Sequence, residues 1–502
     1  MKIASEGAVG SAVDEGRAAE QTLDPEDWEA FRALAHRMVD DMVDQTRGLR
    51  EQPAWQQPPT DVKRAIQNEP LPLDGQGAEQ VYADFLKLVQ PYTSGNRHPR
   101  AWGWVRGNGT PLAAMAEMLS ASMNSHAGGG EQSSTFVEER CLQWLAGVMG
   151  MSAATTGILT SGGTMANLLG LAVARDARAG FDVREEGLAG SARLTVYASS
   201  ETHMWARKSM DVLGMGAQQL RLIRVDEGFR IDIGALRERL REDRAAGLRP
   251  IAVIGNAGTV NSGAVDDLPA LAALCREENL WFHVDGAFGA LLKLSDRYAS
   301  LVRGVELADS LAFDMHKWMY LPFEIGCLLV AEGSAHRAAF ASTASYLEGN
   351  TRGMLATGLI FSDRGIELTR GFKALKLWMS LKAYGLRALG TQIQQNMEQS
   401  QFLEQRVKEE PELELLAARK LNIVCFRYRG KIFRDEDFYN ALNRELVIRL
   451  QESGEFVVSG TELRGRYALR IANTNHRSRL QDFEDLVQAT LRIGRELDAV
   501  RG

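Results

Sequence analysis

Between about residues 111 and 330 the chain alternates short, mostly apolar runs with longer amphipathic ones. The apolar runs fall at 194–198, 220–225, 251–254, 281–284, 310–313 and 325–330, and each has the length of a strand. Helical spacing fills the intervals, as at 233–246 and 266–278. A strand apolar on both faces must be covered on both faces. The pattern therefore predicts an α/β fold, a mostly parallel sheet with helices on either side. In such sheets chemistry gathers at the carboxyl ends of the strands.

The flanks read differently. Asp24-Pro25 is expected to open a helix, the aspartate as cap and the proline in the first turn, with Trp28, Phe31, Ala35, Met38 and Met42 on one face. Pro53, Pro58, Pro59, Pro70 and Pro72 break the next stretch, and 80–89 reads as another amphipathic helix. This arm is too small to bury its own apolar faces and is expected to lay them on a larger body, such as a second subunit. Beyond Gly365 helical spacing runs over 367–384 and 386–408, followed by strands at 421–427 and 467–471 and a closing helix at 479–497. The expected organisation is a disordered tail (1–21), a helical arm (22–110), a large domain (111–385) and a small C-terminal α+β domain (386–502).

Composition narrows the field. A chain of 502 residues exceeds one compact core, and 45% hydrophobic with 25% charged residues is ordinary for a globular enzyme. A net charge of -7 without a long basic run argues against nucleic acid as a partner. No apolar run is long enough to span a membrane, and residues 1–21 lack the apolar core of a signal peptide. Cys141, Cys275, Cys327 and Cys425 are far apart and read as buried thiols in a reducing, cytoplasmic setting.

Five features at the ends of apolar runs carry candidate chemistry. Lys317 sits in a polar turn between the runs 310–313 and 325–330, with His316 before it and Trp318 after it. A lysine held there can form a Schiff base with an aldehyde, or can simply pack its stem and send its charge to water. Thr160-Ser161-Gly162-Gly163-Thr164 precedes a helix and offers free N–H groups and hydroxyls to an anion, unless it is only a capped turn. His203 can stack on a flat ring, bind a metal or serve as a loop residue. Asp285, amid the small residues Gly286, Ala287 and Gly289, can pair with a cation such as a protonated pyridine nitrogen, or cap a turn. The 255–263 loop, with Thr259, is polar, glycine-rich and placed to touch a ligand, although it also reads as an ordinary connection. Together these are the parts needed to hold pyridoxal 5'-phosphate.

At this point the chain resembles the group II pyridoxal-phosphate-dependent amino-acid decarboxylases, which include aromatic-L-amino-acid, histidine and glutamate decarboxylases. The likeness covers about 22–495. It rests on Asp24-Pro25, His98-Pro-Arg-Ala-Trp-Gly-Trp104, Thr160 to Thr164, Val284-Asp-Gly-Ala287, Asp314-Met-His-Lys-Trp318 and Phe372-Lys-Ala-Leu-Lys-Leu-Trp378. The resemblance implies an aspartate-aminotransferase-like type I fold and a homodimer with shared active sites. It implies that Lys317 carries the cofactor as an aldimine and His203 stacks on its ring. Asp285 would pair with the ring nitrogen, and Ala287 would pack beneath the ring. Gly163, Thr164 and His316 would hold the phosphate, with Thr259 nearby. The stretch 341–354 resembles the family's catalytic loop, and Tyr346 falls where decarboxylases keep a tyrosine and related aldehyde synthases a phenylalanine. Gly286 and Phe288 depart from the commoner residues at their positions.

The expected reaction is decarboxylation of an L-amino acid to the amine and CO2, with Lys317, His203, Asp285 and Tyr346 as catalytic residues. The alternatives are an aldehyde synthase, an aminotransferase or an acidic-amino-acid decarboxylase. A metal site built from His203, His283, Asp285 and His316 is a different class of reading, and a non-catalytic scaffold a third. The side chain of the substrate is left open: Trp102 and Trp104 would suit an aromatic or apolar one, whereas Arg100, Arg106 and Arg370 would suit an acidic one.

Overall fold

The computed structural model describes residues 22–342, 352–354 and 358–501. Seven strands form the larger sheet: β1 (Thr156–Thr160), β2 (Leu194–Ser199), β3 (Leu220–Ile223), β4 (Arg249–Asn256), β5 (Trp281–Asp285), β6 (Ser310–Asp314) and β7 (Gly326–Val330). Their order is β1-β7-β6-β5-β4-β2-β3. The strands β3, β2, β4, β5 and β6 run parallel, and β7 is antiparallel to both its neighbours. The expected α/β architecture is present.

Every residue of β2, β5, β6 and β7 is buried, as their unbroken apolar runs require. Successive side chains still point to opposite faces. Leu311 and Phe313 enter one core while Ala312 enters the other. Burying one such leucine or phenylalanine contributes about 1.5–3 kcal/mol, so the two cores fix which residues end each strand on the site edge.

The smaller sheet is antiparallel, in the order β10-β11-β9-β8, from β8 (Leu413–Leu415), β9 (Ile423–Tyr428), β10 (Ser459–Leu463) and β11 (Arg466–Ala472). The helices Glu436–Glu452 and Leu480–Arg501 pack with it around a third core. Trp102 belongs to that core: its indole stacks on Phe483 at 4.6 Å and donates to Ser478 Oγ at 2.9 Å. The helix Ala374–Glu409 joins the two layers and breaks at Gly385, whose φ of 75° and ψ of 158° are not helical.

Three expectations are corrected. Helix Trp28–Arg47 is capped by Asp27, not Asp24, because the Asp27 carboxylate takes the N–H groups of Glu29 and Ala30. The helix expected from 367 begins at Ala374. The preceding stretch is held by the buried Arg370, which donates to Ala127 O, Glu138 and Leu159 O. The strands β8 and β10 were not legible as apolar runs: one spans three residues, and the other reads Ser-Gly-Thr-Glu-Leu. No helix among the described residues is long and apolar enough to cross a membrane. Residues 1–21 and Tyr346 lie outside the described residues.

Candidate active site

The register of the larger sheet brings its polar strand ends side by side. Asn256 pairs with Asp285, Asp285 with Ala312, and both Asp314 and Thr160 face Gly326. A cavity of about 480 Å³ opens above this edge, lined by Gly162, Gly163, Thr164, His203, Asp285, Ala287, His316 and Lys317 among others. These residues lie far apart in sequence and are gathered by the parallel order of β4, β5 and β6.

One wall is the turn from β1 into helix Gly163–Arg178. The cap residue, Gly162, has no side chain to accept from this helix, so among the described residues its first N–H groups have no capping acceptor. The turn must also be narrow, since a Cβ on Gly163 would stand 2.7 Å from Asp314 Oδ2. Free N–H groups, the Ser161 and Thr164 hydroxyls and an unobstructed backbone suit a phosphate.

Lys317 lies in the one-turn helix Met315–Trp318 after β6. Its Nζ is 2.7 Å from Asp314 Oδ2. Asp314 Oδ1 is buried and has no hydrogen-bond partner among the described residues. The turn is pinned from below, where Trp318 Nε1 and the Tyr320 hydroxyl both donate to Asn396 Oδ1, at 3.0 and 2.8 Å. It is pressed from above by Gly107, where a Cβ would run into the His316 and Lys317 carbonyls. His316 Nδ1 accepts from the Ile325 N–H at 3.1 Å, and burial lowers the pKa of this imidazole against the opposing pull of Asp314.

Asp285 closes the other end. Its Oδ1 accepts from Ala287 N–H at 3.0 Å and its Oδ2 from Trp205 Nε1–H at 2.5 Å. His203 Nδ1 accepts from the Trp205 backbone N–H at 3.2 Å. Burial lowers the His203 pKa, and the Asp285 carboxylate partly offsets this. The imidazole is thus neutral near pH 7, with its proton on Nε2.

Behind the wall, His283 is wholly buried and its pKa falls to about 3 for that reason. Asn167 Nδ2 donates to Gly163 O, leaving its Oδ1 to accept from His283 Nε2–H at 2.7 Å. Trp281 Nε1 donates to Ser310 Oγ, whose hydroxyl is then free to donate to His283 Nδ1, also at 2.7 Å. Both ring nitrogens are taken, so His283 belongs to the scaffold and not to a metal site with His203, Asp285 and His316. Among the described residues no group of three His, Cys, Asp or Glu could hold a metal ion.

Of the residues expected to choose the substrate, Trp104 and Arg106 line the cavity, with the guanidinium 4.4 Å from the indole centre. Trp102 does not, nor does Arg100, which pairs with Asp482 and Asp485, nor Arg370, bonded to Glu138. Thr259 is flanked by the lining residues Gly258 and Val260, but its hydroxyl turns into its own loop, toward Ser262 Oγ and the Ala264 N–H. Sequence reasoning missed Trp205, and it missed Arg470 on β11. Arg470 lines the cavity, donates through Nε to Asn261 O at 3.3 Å and leaves Nη2 buried without a partner among the described residues. Burial lowers its pKa to about 10. The signal was available, since Arg470 is a charge inside an apolar strand, just as Lys317 is a charge between two.

Residues 59–429 match the family described as the pyridoxal-dependent decarboxylase conserved domain. An aromatic-L-amino-acid decarboxylase of Bacillus atrophaeus is 31% identical over 473 residues, covering 93% of this chain and 95% of its own. A phenylacetaldehyde synthase of Arabidopsis thaliana is 28% identical over 90% of this chain and 93% of its own. The fold matches the crystal structure of Oryza sativa TDC with PLP and tryptamine at a TM-score of 0.86, with 24% identity, over 95% of this chain and all of that one. The chain belongs to the pyridoxal-dependent decarboxylase family. It is an amino-acid decarboxylase whose cofactor is pyridoxal phosphate. The site fits that group: an uncapped helix start for the phosphate, a lysine and a strand-end carboxylate line one cavity.

Proposed function

We propose that the chain decarboxylates an aromatic L-amino acid to its amine. The observation that carries this reading is the pairing, in one cavity, of Lys317 and Asp285 on the larger sheet with Trp104 and Arg470 from the smaller layer. When bound, pyridoxal phosphate supplies an aldehyde for an amine and a protonated ring that withdraws electrons from the bond to the carboxylate. Lys317 would hold the cofactor until a substrate amine takes its place. Gly163 and Thr164 would give backbone and hydroxyl donors to the phosphate, with His316 beside them. His203, neutral and fixed through Nδ1, would offer its face to the ring, and the small Ala287 would leave room for it. Asp285 would keep a proton on the ring nitrogen. Arg470, with a nitrogen unpaired among the described residues, binds the substrate carboxylate, and Trp104 with Phe288 takes the side chain. Tyr346 returns a proton to the α-carbon.

The chain acts as a cytoplasmic homodimer. Trp28, Phe31, Met42 and Val43 on helix Trp28–Arg47 are exposed, and only Leu34 of that helix is buried in the isolated chain. The four cysteines are free and buried, as suits a reducing compartment. The chain divides near Gly385, where the long helix breaks, into a cofactor-holding body and a smaller C-terminal domain.

The test is a product screen. The pyridoxal-phosphate-loaded protein is incubated with each amino acid in turn, and CO2 and amine are measured by mass spectrometry. Turnover should be highest for an aromatic substrate. Efficient release of CO2 from glutamate or aspartate, with none from the aromatic amino acids, would overturn the substrate class. Lys317→Ala should bind the cofactor weakly, and borohydride should no longer fix it covalently to the protein.

A further inference from the structure

We infer that Trp205 is the positioning residue for the cofactor's ring, setting the orientation of both His203 and Asp285; the inference rests on the function proposed above. Trp205 opens helix Trp205–Val212 and is 2% exposed. Its two N–H groups serve different partners. The backbone N–H donates to His203 Nδ1 at 3.2 Å, and the indole Nε1–H donates to Asp285 Oδ2 at 2.5 Å.

Each bond removes a freedom that the chemistry cannot tolerate. An imidazole that accepts at Nδ1 carries its proton at Nε2, so the tautomer of His203 is set by the same residue that anchors the carboxylate. The carboxylate has Ala287 N–H on one oxygen and Trp205 Nε1–H on the other, and it cannot turn about its Cβ–Cγ bond without losing one. Its remaining lone pairs then keep a fixed aim into the cavity. The indole itself is held edge-on against His283, with centres 5.8 Å apart and planes at 76°, and it packs in the core that holds Ala166 and Ile254. His283 is locked by Asn167 and Ser310, so the chain of contacts runs from the phosphate-side helix to Asp285 without a loose member. Packing alone would be satisfied by any large ring at position 205. The indole N–H is the part that only Asp285 uses.

The test reads the ring nitrogen directly. The protein is loaded with pyridoxal phosphate carrying nitrogen-15 in the ring, whose chemical shift separates the protonated from the neutral ring. In Trp205→Phe, with cofactor content unchanged, the shift should move toward the neutral ring near pH 7. The kcat should fall about 10- to 100-fold while KM stays within about threefold. If the phenylalanine variant does not fold, benzothienylalanine placed at 205 by nonsense suppression keeps the shape and removes only the N–H. It should give the same displacement. A parental shift and parental kcat in a folded, loaded protein without the N–H would overturn the inference. Asp285→Asn separates this from failure of the underlying reading. A shift that ignores Asp285→Asn would show that Asp285 does not face the ring nitrogen, and would remove the role of Trp205 with it.

Discussion

Lys317 Nζ lies 2.7 Å from Asp314 Oδ2, and that carboxylate is 2% exposed. The lysine is therefore the near partner of a buried anion. Asp314→Asn should destabilise the protein prepared without cofactor by about 1–3 kcal/mol. The deficit should shrink in the loaded protein, where Lys317 is engaged by the cofactor. Urea unfolding of both forms decides the matter, and equal deficits would show that loading does not release the pair.

Arg470 is buried with one nitrogen unpaired among the described residues, an arrangement that costs stability. Arg470→Met should unfold at the same or a higher urea concentration than the parent. Its KM for the amino acid should rise about 100-fold. A marked loss of stability with unchanged KM would make the arginine a structural residue.

Acid should weaken the fold through buried histidines. Burial pulls His283 to about 3, and His336 and His476 to about 4. In the unfolded chain each titrates near ~6.5, so below that pH the unfolded state binds protons that the folded state refuses. The stability they contribute is complete above ~6.5 and is lost as pH falls toward the folded values, at about 1.4 kcal/mol per pH unit for each group. Urea midpoints measured down to about pH 5 should fall accordingly, and His283→Gln should flatten the slope. A flat parental curve would show that these rings are not buried neutral.

Tyr346 separates amine from aldehyde in this reading. Tyr346→Phe removes the proton donor and keeps the ring. The variant should form less amine and more aldehyde, ammonia and peroxide per CO2 under oxygen. The same amine yield as the parent, without peroxide, would mean that another group delivers the proton.

The strands with unbroken apolar runs were legible in the sequence because two-sided burial leaves a continuous signal; β2, β4, β5, β6 and β7 all fall where that signal lies. Asp285, Lys317, His316 and Gly163 could be singled out because each sets a polar or flexible residue where a strand ends. The end of Asp24-Pro25 as a cap was not legible, since Asp27 offers the same side chain three residues on. Trp205 was invisible for a different reason. A buried tryptophan carries no mark in the sequence of whether its N–H is used, and its partner Asp285 lies 80 residues away. Trp104 and Trp102 read alike in sequence, yet one lines the cavity and the other fills a core.

The residues proposed to grip the cofactor sit on the ends of one sheet, whereas Arg470 and Trp104, proposed to meet the substrate, belong to the other layer. Arg470 is on β11, and Trp104 is tied to β10 through its N–H to Ser459 Oγ at 3.1 Å. The cavity is thus closed by two layers, and a shift of the smaller layer against the larger sheet would move Arg470 and Trp104 relative to Lys317 and Asp285 without altering either set.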